Sequence, residues 1–347
     1  MIDKDAKEKI VIYGAGAIGS TVFAWLLPYY RNLFLLARGK NLEKLRSKGL
    51  TIYKQHKKDK AVTYSGIKII EDIAEVSDPD FIIISVKNYN LTEVCEDIKS
   101  KISNEGSEPI IIALQNAINN QELLPEYFSK IVYGIVCYNA WRDDYGVVGY
   151  QHKAPIVLGT IQNQHPEERR KAYEILSKGL PTEITDELQD AARSKMLVNL
   201  TNSVVTLVGH GIKKISSINA LRKIISNLMN EGIQILKKAG YHEVRLGNMP
   251  SWRTVTFGMK LPGFISNIVF KKNISKMVRS SMAYDIIIAK KQKSELDSLN
   301  GYFVQLAEKV GFNSKYNRKF YELCKKEFTK PDFEPLDVEL VWKKISE

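Results

Sequence analysis

Short apolar runs alternate with helical patterns through the first half of the chain. The run KIVIY at 9–13 is followed by GAGAIG, by the helical pattern STVFAWLL, and then by a second run, LFLLA. Further apolar runs predict strands, and helical stretches such as 91–101 separate several of them; these strands lie at 61–64, 67–70, 81–86, 110–114 and 131–138. Buried strands that alternate with helices indicate a parallel sheet covered on both faces.

The pattern changes in the second half of the chain. The runs at 147–151 and 155–159 predict a β-hairpin, and 166–178 predicts an amphipathic helix. From residue 186 onward, apolar residues recur at three- and four-residue spacing and predict helices at 187–209, 217–239, 280–310 and 314–328. Only the Gly- and Pro-containing segment 240–276 gives no clear pattern. We therefore predict two domains, an α/β domain over residues 1–185 and an all-α domain over residues 186–347.

Composition places the chain among ordinary globular proteins of the cytoplasm. Of its 347 residues, 44% are hydrophobic and 26% are charged, and no apolar run is long enough to cross a bilayer. The opening residues are charged, so we expect no export signal and no membrane partner. The three cysteines are scattered without a CxxC pair, and the five histidines lack metal-ligand spacing, so we expect neither disulfides nor a metal.

The formal net charge of +12 favours anionic partners. The densest lysine clusters, 54–60 and 271–272, lack the interleaved aromatic residues of a nucleic-acid platform, so we expect no nucleic-acid partner. We interpret most of this charge as a solvated surface. A smaller part is expected to attract an anionic cofactor and substrate.

The glycine-rich turn after the first strand carries the clearest motif. It reads G-x-G-x-x-G between a predicted strand and a predicted helix, the context in which this motif binds the pyrophosphate of a dinucleotide. The helix N-terminus adds amides that favour negative charge. We expect the cofactor to contact six residues, Gly14, Ala15, Gly16, Ala17, Ile18 and Gly19.

The end of the second strand indicates which dinucleotide binds. An NAD site usually carries an acidic residue here that binds the ribose 2′-hydroxyl. Residues 33–42 contain no Asp or Glu, and Arg38 occupies the turn with Lys40 beside it. A guanidinium in this position pairs with a 2′-phosphate in bidentate fashion, so the sequence predicts NADP (NADPH) as the cofactor.

A polar stripe on the first helix of the second half gives the strongest catalytic signal. Lys195, Asn199 and Asn202 are spaced four and three residues apart, so they fall within an arc of roughly 60° on one helix face. Their helix neighbours are largely apolar. Reduction of a ketone needs charge stabilisation and a proton for the forming alkoxide, and the ammonium of Lys195 can supply both.

Several motifs in order resemble one enzyme family along nearly the whole chain, from about Lys9 to Glu327. They are GAGAIGS, ARGKNLEKLRSKGL, SVKNYN, LQNAINNQELL, SKMLVNLTN and ELDSLNGYF, and their order is that of the ketopantoate reductases (2-dehydropantoate 2-reductases). The resemblance implies a Rossmann-type domain followed by a helical domain like the C-terminal domain of 6-phosphogluconate dehydrogenase, with the active site in the cleft between them. It also implies NADPH-dependent reduction of 2-dehydropantoate to pantoate, on the pantothenate route to coenzyme A.

The resemblance also implies roles for residues whose types alone are unremarkable. Arg38 and Lys87 would hold the 2′-phosphate, and Asn116 would contact the nicotinamide end and the substrate. Ser281 would hold the substrate carboxylate. Glu295 would lie near the nicotinamide ribose and the catalytic lysine, where a carboxylate favours the protonated ammonium.

The chain departs from the family pattern at three positions. Gln115 and Ala117 stand where the family usually has histidine and glycine beside the asparagine, and Ser203 stands where it has a second asparagine eight residues past the lysine. Asn202 lies one position earlier and points to nearly the same side as that asparagine. Two alternatives stay open: a reductase of another 2-keto acid or imine, and an NADP-sensing regulator without catalysis. The oligomeric state, monomer or homodimer, is also open.

Overall fold

The computed structural model describes residues 7–102, 108–247, 249–274, 280–291 and 293–347, and it divides into two compact units, Met1–Leu188 and Gln189–Glu347. The first unit contains twelve described strands: β1 Ile10–Tyr13, β2 Leu33–Leu36, β3 Leu50–Lys54, β4 Val62–Tyr64, β5 Ile69–Ile70, β6 Phe81–Ile84, β7 Ile110–Ala113, β8 Ile131–Val136, β9 Ala140–Asp144, β10 Val147–Tyr150, β11 Ile156–Gly159 and β12 Thr182–Ile184. Its α-helices are α1 Ala17–Leu26, α2 Gly39–Lys48, α3 Leu91–Lys101, α4 Asn120–Leu123 and α5 Pro166–Ser177.

Eight of these strands form the main sheet, in the order β12-β11-β8-β7-β6-β1-β2-β5. All neighbouring pairs are parallel except β8 and β11, which are antiparallel. Strands β1, β6, β7 and β8 are buried along their whole length, and Phe23 and Leu26 of α1 belong to the same core as Ile10 and Ile12. The structure therefore confirms the predicted α/β fold of the first half of the chain.

The predicted hairpin between 147–151 and 155–159 is wrong. Strand β10 pairs antiparallel with β9 and parallel with β3, in a second sheet of order β4-β3-β10-β9. The reversal comes one strand earlier, at Gly146, whose φ of 74° suits the turn between β9 and β10. The sequence of β9, AWRDD, is too polar to form an apolar run, so the hydrophobic pattern does not predict this strand. Strand β11 is fully buried and belongs to the main sheet instead.

The second unit is helical, as predicted. Its helices are α6 Leu188–Leu207, α7 Ile218–Lys238, α8 Trp252–Lys260, α9 Gly263–Ile274, α10 Ser281–Ala283, α11 Tyr302–Lys309, α12 Lys315–Phe328 and α13 Val338–Ser346. Two π-helical turns, at 284–288 and 297–301, accompany them. Within the part of the chain that the structure describes, no helix combines the length and apolarity needed to cross a membrane.

The single helix predicted over 280–310 is wrong, because the chain is not helical at 289–291 and 293–295. Lys290 adopts a left-handed φ of 49°, which ends the helix despite the apolar spacing on both sides. Asp285 closes this turn: its backbone oxygen accepts from the Lys291 amide and its carboxylate pairs with the Lys291 ammonium at 3.0 Å. The segment 240–276, which gave no pattern, contains α8 and α9.

Candidate active site

The glycine-rich turn requires glycine at two of its three glycine positions and is open at the third. Gly14 has a φ of 113°, which side-chain-bearing residues rarely adopt. A Cβ on Gly19 would lie 2.0 Å from the backbone oxygen of Gly14, so this position admits only glycine. At Gly16 a Cβ would meet nothing within 4 Å, so the turn is open on this side. The Ser85 hydroxyl donates to the Gly14 oxygen at 2.8 Å and fastens the turn to the end of β6.

This turn fits the pyrophosphate of a dinucleotide. Gly16 caps the N-terminus of α1, and the first turn of that helix carries no acidic side chain. The first amides of a helix have no partner within the helix and carry partial positive charge. An open approach at Gly16 therefore leads to a surface that favours anions.

Arg38 lies at the carboxyl end of β2, where α2 begins. Its Nη2 donates to the Tyr13 hydroxyl and to the Asp97 carboxylate, at 2.8 Å each, and the Tyr13 hydroxyl donates to the same carboxylate at 2.5 Å. Glu93 lies 3.9 Å from Nη1. Because the Arg38 side chain remains 45% exposed, one edge of the guanidinium is held while part of it faces solvent.

A second cation completes this ionic network. Lys101 pairs with Asp97 at 2.7 Å and with Asp72 at 2.6 Å. Burial by itself would raise the pKa of Asp97, but hydrogen bonds from Lys101 and Tyr13 and the charge of Arg38 lower it below its usual range. Burial and the hydrogen bond to Asp97 raise the pKa of Tyr13. Asp97 therefore stays ionised at neutral pH, as a fixed anchor for Arg38.

Sequence reasoning missed both Tyr13 and Asp97. A tyrosine as the last residue of an otherwise aliphatic buried strand is a polar group that needs a partner, and this signal could have identified Tyr13 from the sequence. Asp97 gave no comparable signal, because an acid on an amphipathic helix is ordinary. Only the fold brings α3 beside the ends of β1 and β2.

Lys87 and Asn116 follow β6 and β7, which are neighbours in the sheet. The ends of adjacent parallel strands meet at one edge, so the structure brings both residues to the edge that carries the glycine turn and Arg38. Both are half-buried. The Asn88 side-chain amide donates to the backbone oxygen of Asn116 and thereby ties the two loops together.

The two residues beside Asn116 have structural consequences. Gln115 is buried, and its amide nitrogen donates to the Ile84 backbone oxygen at 2.9 Å. Ala117 has a φ of 69°, in the left-handed region that favours glycine. This conformation explains why the family pattern has glycine at the position of Ala117, and it leaves alanine strained here.

In the second unit, close packing of α6 against α7 orients the polar stripe. A Cβ on Gly232 of α7 would lie 2.7 Å from Leu197 and 3.3 Å from Leu200, so these two leucines pack directly against the α7 backbone at Gly232. At about 100° per residue, Lys195 and Asn199 project from the opposite side of α6. Lys195 is half-buried, and Asn199 is buried.

Ser281 and Asn202 are brought together by Ser280. The Ser280 hydroxyl lies 3.1 Å from the Thr206 hydroxyl and 3.3 Å from the Asn202 backbone oxygen, and it caps α10 by accepting from the Ala283 amide at 3.0 Å. The start of α10 is thus fastened to α6 at Asn202. Ser281 is exposed there. Sequence reasoning missed Ser280, although a serine before a short helix is a typical cap.

Ser203 and Glu295 complete the predicted set. Ser203 is fully buried, and its hydroxyl donates to the Leu200 backbone oxygen at 3.0 Å, within its own helix. Glu295 is buried as well, just before the second π-helical turn, and its backbone oxygen accepts from Leu299 at 3.0 Å. Among the described side chains, no three His, Cys, Asp or Glu residues are grouped as a metal site would require.

The fold and the glycine turn define a Rossmann-type nucleotide-binding unit linked in sequence to a helical unit. The family described as "Ketopantoate reductase PanE/ApbA" matches residues 10–163, and its C-terminal counterpart, "Ketopantoate reductase PanE/ApbA C terminal", matches residues 187–327. Together these matches span most of the chain. The protein belongs to the ketopantoate reductase family and is an oxidoreductase of that family.

Curated relatives match over nearly their full length. A 2-dehydropantoate 2-reductase of Archaeoglobus fulgidus is 24% identical, over 92% of this chain and 97% of its own. The uncharacterised oxidoreductase YkpB of Bacillus subtilis is also 24% identical, over 87% and 93%.

Solved structures share the fold at lower identity. A D-mandelate dehydrogenase, solved with NADH and anilino(oxo)acetate, is similar with a TM-score of 0.74 at 19% identity, covering 94% of this chain and 99% of its own. A 2-dehydropantoate 2-reductase of Geobacter metallireducens has a TM-score of 0.73 at 18% identity, over 91% and 99%.

Proposed function

We propose that this protein reduces a small 2-keto acid with NADPH, and that 2-dehydropantoate is the substrate, with pantoate as the product. The observation that carries the proposal is the stripe of Lys195, Asn199 and Asn202 on α6, in a chain whose other unit has the glycine turn of a dinucleotide site. The Lys195 ammonium and the two side-chain amides are hydrogen-bond donors on one face of α6, and the carboxylate and carbonyl oxygens of a keto acid are acceptors that match them. The reaction would serve the pantothenate route in the cytoplasm.

Residues 1–185 form the proposed cofactor domain. The turn from Gly14 to Gly19 would hold the pyrophosphate, Arg38 and Lys87 the 2′-phosphate, and Asn116 the nicotinamide end. Bound NADPH supplies the hydride for the keto carbon. The Arg38 guanidinium supports NADPH over NADH, because its exposed part suits the dianionic 2′-phosphate that NADPH carries and NADH lacks.

Residues 186–347 form the proposed catalytic domain. Lys195 would stabilise the negative charge that develops on the keto oxygen and then deliver its proton there. Asn199 and Asn202 would orient the carbonyl, and Ser281, fastened beside Asn202, would bind the carboxylate. Glu295 would contact the ammonium and the nicotinamide ribose and keep Lys195 protonated.

A second candidate is the reduction of a different 2-keto acid. Ser203 replaces a family asparagine, and Ala117 replaces a glycine. A D-mandelate dehydrogenase solved with NADH and anilino(oxo)acetate shares the fold. The negative charges of Asp97 and Glu93 beside Arg38 oppose a 2′-phosphate, so this candidate is also expected to use NADH. This candidate predicts faster turnover of a bulkier or aromatic keto acid.

Steady-state kinetics separate these candidates. The purified protein is assayed with NADPH and with NADH against 2-dehydropantoate, phenylglyoxylate and aliphatic 2-keto acids. The proposal expects the highest kcat/KM with NADPH and 2-dehydropantoate. A higher kcat/KM for another keto acid would contradict 2-dehydropantoate as the substrate. An equal kcat/KM with NADH would contradict the assignment of NADPH as the cofactor. Absence of turnover with every pair, together with NADPH binding, would point to a non-catalytic NADP sensor.

A further inference from the structure

Helices α8 and α9 expose large apolar side chains that belong neither to the hydrophobic core nor to the candidate active site. Phe257 is 63% exposed, Phe264 69% and Ile268 70%, and Ile265 and Val269 are exposed beside them. Single exposed apolar residues are normal, but five of them within thirteen residues form a patch. We call these five side chains the α8–α9 apolar patch.

The patch occupies one side of α9. Phe264, Ile265, Ile268 and Val269 fall within an arc of about 140° when the helix is projected along its axis. The other side is fastened to its own unit: the Ser266 hydroxyl donates to the Gly258 backbone oxygen at 3.1 Å. The Asn267 side-chain oxygen likewise accepts from Arg222 Nε at 2.7 Å. The apolar side is therefore held outward by contacts on the opposite side.

The charged residues within α8 and α9 all have one sign. Residues 252–274 contain no Asp or Glu, and their basic residues are all exposed: Arg253, Lys260, Lys271 and Lys272. The chain as a whole has 39 acidic residues among 347, so a stretch of this length without any is a local bias. An occupant that covers this patch must be apolar where it meets α9 and negatively charged around it.

We propose that the α8–α9 apolar patch binds the surface of an anionic phospholipid bilayer. Acyl chains would receive the apolar side chains, and lipid phosphates would pair with the basic residues, whose long stems let their charged ends reach the headgroups. A second copy of the chain fits less well, since a symmetric contact sets this basic patch against itself. Helix α9 is about 18 Å long, so it lies in the interface and does not span the roughly 30 Å hydrocarbon core.

This inference replaces the expectation, from composition alone, that the protein has no membrane partner. It does not depend on the proposed reaction, and it places the enzyme reversibly at the cytoplasmic leaflet, whose anionic lipids attract basic segments. The lysine pair 271–272, which sequence analysis assigned to a solvated surface, becomes part of the binding surface.

Vesicle co-sedimentation of the full chain tests the proposal. Vesicles of phosphatidylcholine alone are compared with vesicles that also contain about one third phosphatidylglycerol. We expect at least tenfold stronger partitioning to the anionic vesicles, because each exposed basic residue raises the partition coefficient about fivefold. Partitioning should weaken as the salt concentration rises, because salt screens these charges. Lack of sedimentation with anionic vesicles at low salt would overturn the proposal.

Paired variants separate the apolar contribution from the charge. Phe264→Glu with Ile268→Glu, and separately Lys271→Glu with Lys272→Glu, should each weaken binding at least tenfold. Lys57→Glu with Lys60→Glu makes the same change in net charge at the other lysine cluster and should reduce binding less than threefold. If this control pair weakens binding as much as the α9 lysine pair does, net charge and not the patch is responsible, and the proposal fails.

Two measurements guard against a misfolded variant or a dimer contact. Thermal unfolding midpoints and any reductase turnover should match the parent in the Phe264→Glu, Ile268→Glu variant, because both side chains already face solvent. Light scattering should give the same mass for parent and variant. A parent dimer that this variant dissociates, with no vesicle binding by the parent, would assign the patch to a second copy and overturn the proposal.

Discussion

One nitrogen of Arg38 donates to both Tyr13 and Asp97, at 2.8 Å to each, so the guanidinium is oriented before any ligand arrives. If Arg38 binds the 2′-phosphate, this orientation lowers the entropy lost on binding. We expect Asp97→Asn to weaken NADPH binding about tenfold and to leave NADH binding nearly unchanged. Fluorescence titration with each cofactor measures both effects.

Asp72→Asn is the matched control for that variant. Asp72 pairs with Lys101 in the same network and makes no hydrogen bond to Arg38, so its neutralisation removes one negative charge without releasing the guanidinium. NADPH affinity should change less than twofold in this control. Tighter NADPH binding by Asp97→Asn would mean that the carboxylate opposes the phosphate and would contradict the orienting role.

The same carboxylate makes a pH-dependent contribution to stability. Its pKa is lowered in the folded state, so its contribution is present above the unfolded value of about 4 and is lost as pH falls through the folded pKa. Asp97→Asn should lower the free energy of unfolding by about 1–3 kcal/mol above pH 5. Urea unfolding of parent and variant should show this difference shrinking below about pH 4. A difference that grows on acidification would contradict the assignment.

Lys195 is expected to act in the chemical step. Lys195→Ala should lower kcat about 10²- to 10⁴-fold while the NADPH dissociation constant changes less than threefold, because the ammonium acts on the keto oxygen. Lys237→Ala, at an exposed lysine on α7, is the control and should retain full activity. Equal kcat in both variants would remove Lys195 from the mechanism.

The two candidates for the displaced family asparagine differ in their surroundings. Ser203 is fully buried and its hydroxyl is bonded to Leu200, whereas Asn202 is half-buried beside Ser280. We expect Asn202→Ala to lower kcat/KM for the keto acid about tenfold or more, and Ser203→Ala to change it less than threefold. The reverse order of effects, measured by steady-state kinetics, would show that position 203 keeps the family role.

Ala117 should be a site at which glycine stabilises the protein. Relief of its left-handed backbone, at roughly 1–2 kcal/mol, exceeds the entropy that glycine adds to the unfolded chain, so Ala117→Gly should gain about 0.5–1 kcal/mol. Ala61→Gly is the control: Ala61 is exposed with a φ of −63°, and the substitution should lose a similar amount. Urea unfolding measures both, and destabilisation by Ala117→Gly would contradict the strain.

Hydrophobic patterns along the chain predicted much of the fold, because apolar residues recur at the positions that are buried in each strand or helix. The aliphatic runs of β1, β6 and β7 could not be mistaken, and the glycine motif required the strand and helix found on either side of it. The polar strand β9 and the break at Lys290 were missed, because long-range pairing and a single left-handed residue decide them.

The candidate site shows the same limit. Lys195, Asn199 and Asn202 share a face because helical geometry is regular, and this could be predicted from spacing alone. The contacts of Arg38 with Tyr13 and Asp97, and of Ser280 with Asn202, join segments far apart in the chain. No local pattern contains such information.

The pairing of β10 with β3 joins Val147 to Thr51, across almost a hundred residues of chain. Closing so long a loop costs conformational entropy that is regained only after the contact has formed, so this pairing is expected to form late in folding. Strand β11 follows directly and must reach β8 in the other sheet. Formation of the small sheet is therefore expected to be the last step in the folding of the first unit. The slow phase of refolding should coincide with the burial of Trp141 on β9.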